Sequence, residues 1–146
     1  MTKHDAMNDF FKPKVMELAG KMMNFNFSSN SPNSIDFITE YSDKERKKYI
    51  RIGAEKEYGF AIIITKEYST NEDDLNLEAM NFAQAFMDWV DKQDKIKNYP
   101  AFPDNCHIKK MEVLQNMPNL AEVNAETARY MIQCRLIYFE KEAIKS

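Results

Sequence analysis

The chain is poor in the residues that small enzymes and cofactor-binding domains depend on. Its 146 residues include three glycines, two cysteines, two histidines and one tryptophan. Gly20, Gly53 and Gly59 stand far apart, so no glycine-rich loop is available to cradle a dinucleotide or a nucleoside triphosphate. Cys106 and Cys134 are distant in sequence and lack a CxxC pair or a histidine cluster. They read as two reduced, buried thiols rather than a disulfide or half of a zinc site. No apolar run approaches the ~18 residues of a membrane-crossing helix, and Asp5 and Asp9 interrupt the N-terminal stretch where a secretion signal would be apolar. The expectation is a protein cytosolic when made, with no membrane partner. Nor is there a broad excess of one charge: the net value is −3, and the basic residues are scattered apart from Lys44–Lys48. A nucleic-acid-binding field is not indicated. The basic cluster, interleaved with Asp43 and Glu45, reads as a solvated turn.

What the chain does have is core material. Hydrophobic residues make up 44%, aromatics 12% and charged residues 29% of the sequence, enough to build one folded domain and too short to add a second catalytic one. Phe10, Phe11, Val15, Leu18, Ala19, Met22 and Met23 recur at helical spacing. Pro13 suits a first helical turn, which places the start of this helix near Phe11 or Lys12. Residues 26–34, Asn-Phe-Ser-Ser-Asn-Ser-Pro-Asn-Ser, read as an exposed loop. Three strands are expected next, at Ile35–Tyr41, Lys48–Ala54 and Glu57–Tyr68, the last two forming a hairpin around Glu55-Lys56.

Thr70-Asn71 offers a helix cap, and Glu72, Asp73 and Asp74 complement the positive end of a helix dipole. Leu75, Ala79, Phe82, Phe86, Trp89 and Val90 continue the helical period to about Lys95, with Lys92, Lys95 and Lys97 at the negative end and Pro100 and Pro103 beyond it. Strands are expected again at Cys106–Leu114 and Ala128–Glu140, joined by a loop around Pro118 and Asn119. The result is one α+β domain over residues 1–146, mainly antiparallel, with two principal helices in the order α-β-β-β-α-β-β. Residues 142–146 are expected to form a flexible tail.

No catalytic set emerges. His4 falls in an N-terminus expected to be mobile. His107 adjoins Cys106, but neighbours in a strand point to opposite faces, so nucleophile and base would not meet. Glu72, Asp73 and Asp74 lack the alternate spacing and turn glycine of a calcium loop. The methionines, among them Met16, Met22, Met23, Met80 and Met87, read first as gap-filling core, and Trp89 as a core anchor. Neither a cofactor nor a metal site is expected, and the protein reads as non-enzymatic.

Two strands have no plainly wet face. In one, Tyr58, Phe60, Ile62 and Ile64 alternate with Gly59, Ala61 and Ile63. In the other, Tyr130, Ile132, Cys134, Leu136 and Tyr138 alternate with Arg129, Met131, Gln133, Arg135 and Ile137. A second face of this kind suits burial against a neighbouring subunit. The candidate subunit contacts are Ala61, Ile63, Arg129, Met131, Gln133, Arg135 and Ile137.

Several segments taken together carry a resemblance. They are Glu57–Ile64, the helix Phe82–Gln93, Lys97-Asn98-Tyr99-Pro100, Ile108–Leu114, Pro118–Val123 and Tyr130–Phe139. In order and spacing this set resembles the tail terminator or minor capsid proteins of long-tailed phages infecting Gram-positive bacteria, over roughly Lys48 to Lys141. The resemblance implies a ring, typically of six copies, assembled in the bacterial cytoplasm and carried at the head-proximal end of the virion tail. Its implied partners are further copies of itself, the tail tube protein, a neck or head-tail connector protein and, in some tails, a sheath protein. Genome DNA would pass through the lumen without sequence readout. A neck or head-completion adaptor is the alternative of similar size, and a small ligand-binding or enzymatic domain is a third.

Overall fold

A computed structural model describes residues 2–26, 34–49, 52–67, 73–115, 119–123 and 127–142. Its elements are α1 (Lys3–Ala19), β1 (Met23–Phe25), β2 (Ser34–Tyr49), β3 (Gly53–Glu67), α2 (Asp73–Lys95), β4 (Cys106–Val113), β5 (Asn119–Val123) and β6 (Thr127–Lys141). The architecture is the expected single α+β domain: two helices on a mostly antiparallel sheet, ordered β1-β2-β3-β6-β4, with β5 also pairing with β6. Among the described strands, only β1 and β2 pair in parallel.

β3 and β6 form the centre of the sheet, paired without a break from Gly53↔Lys141 to Glu67↔Thr127. Alternation decides what each face buries. Tyr58, Phe60, Ile62 and Ile64 from β3, with Ile132, Cys134, Leu136 and Tyr138 from β6, enter one cluster with Ile35 and Phe37 of β2. Both helices pack onto that face, α1 through Met7, Phe11 and Val15 and α2 through Ala79, Phe82, Ala83, Phe86 and Val90. The Phe11 ring lies 4.9 Å from Phe60, 5.7 Å from Phe37 and 6.0 Å from Phe86, tying helix to sheet and helix to helix with aromatic contacts. Trp89 is half-buried at the edge of this cluster, 5.2 Å from Phe10 and 5.7 Å from Phe11.

Several boundaries differ from expectation. α1 starts at Lys3, not near Phe11, because Thr2 and Asp5 form a reciprocal capping box that satisfies the first amides. Pro13 then lies inside the helix with its ring exposed. α1 ends at Ala19, where Gly20 takes a left-handed conformation at φ 70°. Met22 and Met23 therefore leave the helix: Met22 is exposed and Met23 is buried in β1.

The hairpin turn also moves. β2 and β3 pair out to Tyr49↔Gly53, and Glu55 and Lys56 sit inside β3 opposite Lys47 and Glu45. The expected strands Ile35–Tyr41 and Lys48–Ala54 are thus the first part of β2 and a segment straddling the hairpin end. Gly53 permits this geometry, since its φ is 152° and a Cβ there would lie 2.1 Å from the Glu140 carbonyl oxygen. The Lys44–Lys48 cluster is strand rather than turn, a stretch of β2 exposed on both sides. Charge on an edge strand discourages edge-to-edge pairing. Asn119, expected in a loop, opens β5.

Of the expected loop 26–34, Asn26 is exposed and Ser34 begins β2, while residues 27–33 lie outside the described ones. So do the cap candidates Thr70, Asn71 and Glu72, along with residues 143–146 of the expected tail. Glu142 donates its backbone amide to the Ile52 carbonyl at 2.9 Å.

Candidate functional site

The seven residues singled out on β3 and β6 come together on the helix-free face of the sheet. Ile63 pairs with Met131, Ala61 with Gln133 and Gly59 with Arg135, while Arg129 stands opposite Thr65 and Ile137 opposite Glu57. From β2, Asp36 lies opposite Ile63 and Ile38 opposite Ala61. Among the described residues no helix covers this face, because the period of two sends its side chains away from α1 and α2.

The face has two unlike halves. Toward the hairpin end it is ionic. Glu57, only 5% exposed, accepts from the Tyr41 hydroxyl at 3.0 Å and meets Arg46 Nε at 3.2 Å and Arg135 Nη1 at 3.3 Å. Arg135 also donates to Glu112, which Lys110 approaches to 3.1 Å. Burial alone would raise the Glu112 carboxyl, but the hydrogen bonds from Lys110 and Arg135 outweigh it and hold that group below its usual range. Gly59 makes room for the Tyr41 ring, which a Cβ would meet at 2.4 Å. Arg135, proposed from sequence as an intersubunit contact, thus has its charge compensated inside the subunit.

Toward the other end the face is aliphatic with a polar border. Ile38, Ile63 and Met131 are half-buried, and Ala61 lies sunk between its neighbours at 1% exposure. Beside them are three buried oxygens without a hydrogen-bond partner among the described residues: Ser34 Oγ, Asp36 Oδ2 and Thr65 Oγ1. Asp36 is wholly buried, and only its other oxygen is served, by Asn24 Nδ2 at 2.9 Å. Gln133 donates to Glu40 at 3.2 Å. Ile137 is already buried within the subunit, so of the seven candidates it and Ala61 have little surface left to give.

The residues weighed for chemistry do not assemble. His107 is exposed on β4 while its neighbour Cys106 is partly buried. Burial, reinforced by the Glu140 carboxylate 3.5 Å from Sγ, pushes the Cys106 thiol up to about 11, the reverse of an activated nucleophile. Burial likewise raises the Cys134 thiol. Both cysteines are free. His4 is not in a mobile terminus: it sits in the first turn of α1, its Nδ1 2.8 Å from the Tyr58 hydroxyl, which in turn lies 2.7 Å from Thr39 Oγ1.

Around that turn runs a network that sequence reasoning missed. Lys3 reaches Asp43 at 2.9 Å and Glu140 at 2.8 Å, Lys56 also binds Glu140, and the buried Tyr138 hydroxyl donates to Asp43. These groups join α1 to β2, β3 and β6 and read as a clamp on the helix. The Thr2-x-x-Asp5 capping box was the signal available, since it puts Lys3 and His4 into the helix. Among the described residues no cluster of three or more His, Cys, Asp or Glu has metal-binding proximity, and no helix is long and apolar enough to cross a membrane. Compared with models of known protein families and with curated proteins, the sequence matches none.

Proposed function

We propose that this protein is a structural subunit of a phage virion, assembling through its helix-free sheet face into a ring that caps the tail tube and offers the head-joining surface. The resemblance of residues 48–141 to tail terminator proteins supplies the phage context. The structural observation in favour is the aliphatic half of that face: Ile38, Ile63 and Met131 lie close together, bordered by Ser34, Asp36 and Thr65 oxygens that lack a hydrogen-bond partner among the described residues. Buried polar atoms are almost always satisfied. A second copy laid on this patch would cover the aliphatic side chains and could bring the missing donors. The mode of action is binding alone: one ring face complements the last tube ring, and the other gives a further tube subunit nothing to add to. The partners in this reading are further copies of the chain, the tube protein, a neck connector and, in a contractile tail, the sheath. DNA passes through the lumen without sequence readout.

The test is to add the purified protein to polymerising tube protein. Tubes of limited length, each with a ring at one end in electron micrographs, are the expected outcome. A chain that stays monomeric by light scattering at high concentration with tube protein present, and leaves tube length unchanged, would overturn the reading.

A further inference from the structure

The aliphatic patch needs a complement of definite chemistry. Asp36 Oδ2 is a buried carboxylate oxygen without a donor among the described residues, and its removal from water has already been incurred inside the subunit. An occupant that brings an aliphatic side chain to Ile38, Ile63 and Met131 and a cation to Asp36 satisfies both halves of the demand. A ring of more than two copies is built head to tail, so that occupant belongs to a different surface of the next copy.

Among the large apolar side chains exposed in the described residues, only Ile96 stands between two lysines. It lies just past the end of α2 and is 60% exposed, with Lys95 and Lys97 exposed on either side. This corner is firmly held. The Asn98 amide donates to the Gln93 carbonyl at 2.9 Å and the Lys97 amide to the Asp94 carbonyl at 3.1 Å, the two bonds of a Schellman cap. Asn98 Nδ2 also donates to Gln93 Oε1 at 2.7 Å, where such a cap commonly has an apolar contact. The cap sets Lys97 at φ 56°, a left-handed conformation that glycine adopts freely and lysine only at a cost. A helix dipole favours lysine throughout the last turn, which does not account for one at this position. Strain of this kind concentrates at functional sites.

Corner and patch cannot meet within one chain. Asp94 Oδ1 accepts from the Met111 amide of β4 at 2.9 Å, setting the end of α2 beside the β4 edge. The patch spans β2, β3 and β6 on the face turned away from the helices. We propose that the Lys95–Lys97 corner of one copy docks on the aliphatic patch of the next, Ile96 against Ile38, Ile63 and Met131 and the Lys97 ammonium on Asp36 Oδ2. This contact rests on the ring reading and supplies its second surface.

Sedimentation velocity of the full chain over a concentration series, with and without tube protein, tests it. Ile96→Glu should raise the dissociation constant at least tenfold with circular dichroism unchanged. Lys97→Gly should do the same while the thermal midpoint stays equal or rises, because glycine relieves the left-handed backbone. Mixing Ile96→Glu with Met131→Glu should restore association as far as a dimer, since the first keeps an intact patch and the second an intact corner. If Met131→Glu dissociates the assembly while both corner variants associate like the parent, the corner assignment is overturned and the ring reading stands. A mixture no more associated than its components overturns it as well. A parent chain that stays monomeric with tube protein present overturns the ring reading, and this contact with it.

Discussion

Gln115 fills a gap that the backbone leaves open. β4 pairs with β6 up to Val113↔Cys134, and β5 pairs with it from Asn119↔Met131, so among the described residues no strand residue pairs with Ile132 or Gln133 on this edge, although the Leu114 amide donates to the Gln133 carbonyl at 2.9 Å. The Gln115 side chain takes that place: its amide nitrogen donates to the Met131 carbonyl at 2.8 Å, and its oxygen accepts from the Gln133 amide at 3.1 Å. A side-chain amide has the same donor and acceptor as a peptide group, which is why it can complete a ladder. Gln115→Ala should destabilise the fold by about 1–3 kcal/mol, because it leaves two half-buried backbone groups unserved. Urea denaturation reads the loss, and the Gln133 amide should exchange with solvent markedly faster by NMR. Unchanged exchange at Gln133 would show that the edge is held by other means. Nothing in the sequence around Gln115 marks it for this role, since the gap exists only once β4 and β5 are docked in tandem along β6.

At the level of elements, legibility followed periodicity. α2 was readable because its apolar residues recur at a period of 3.6 over more than a dozen residues, and β3 and β6 because theirs alternate over shorter runs; for α2 and β6 the buried face is the one the pattern indicates, whereas in β3 neither face was marked as wet. Local chemistry misled where two signals competed. Pro13 argued for a late start to α1, yet the capping box at Thr2 and the core stripe through Met7, Phe11 and Val15 outweigh the one helix hydrogen bond that a proline forgoes. The charge run in β2 resembled a turn because that half of the strand is exposed on both sides and buries no alternating face. Of the clamp on α1 the sequence offered only the capping box that brings Lys3 into the helix, since its contacts join residues 3, 43, 56, 138 and 140 through tertiary structure.

That clamp has a consequence in acid. Burial tends to raise the Asp43 and Glu140 carboxyls, but hydrogen bonds from Tyr138 and Lys3 to the first, and from Lys3 and Lys56 to the second, hold both below their ordinary values of 3.8 and 4.5. A depressed folded-state value means that the stabilisation is complete above the unfolded value and is lost as pH falls through the folded one. Thermal midpoints should therefore be flat from neutrality to about pH 5 and drop below the 3.8–4.5 range set by these ordinary values. Glu140→Gln should lower the neutral-pH midpoint and flatten the acid limb. An acid limb as steep as that of the parent protein would place the sensitive groups elsewhere.

For the molecule as a whole, the decisive asymmetry is that one sheet face carries two helices and the other carries none among the described residues. A two-layer α+β domain can leave the far face of its sheet to solvent if that face is polar. Here the ionic half meets that condition through the Glu57, Arg135 and Glu112 network, whereas the half built on Ile38, Ile63 and Met131 does not. The candidates legible in sequence all fall on the helix-free face, but their surroundings differ: Arg135 is occupied within the subunit, Ala61 and Ile137 are already sunk, and Ile63 and Met131 keep part of their surface exposed. Only the cross-strand register could separate these cases. If the face joins copies of the chain, Met131→Glu should place an unpaired charge in the contact and shift the protein toward monomer by at least tenfold in dissociation constant, the fold staying intact because Met131 lies outside the core cluster. Arg135→Gln, by contrast, should lower stability by disrupting the ion pairs with Glu57 and Glu112 while leaving association largely unchanged. Sedimentation velocity over a concentration series, paired with thermal unfolding of each variant, separates the two effects. Association unaffected by Met131→Glu would move the contact surface off the aliphatic half of the sheet.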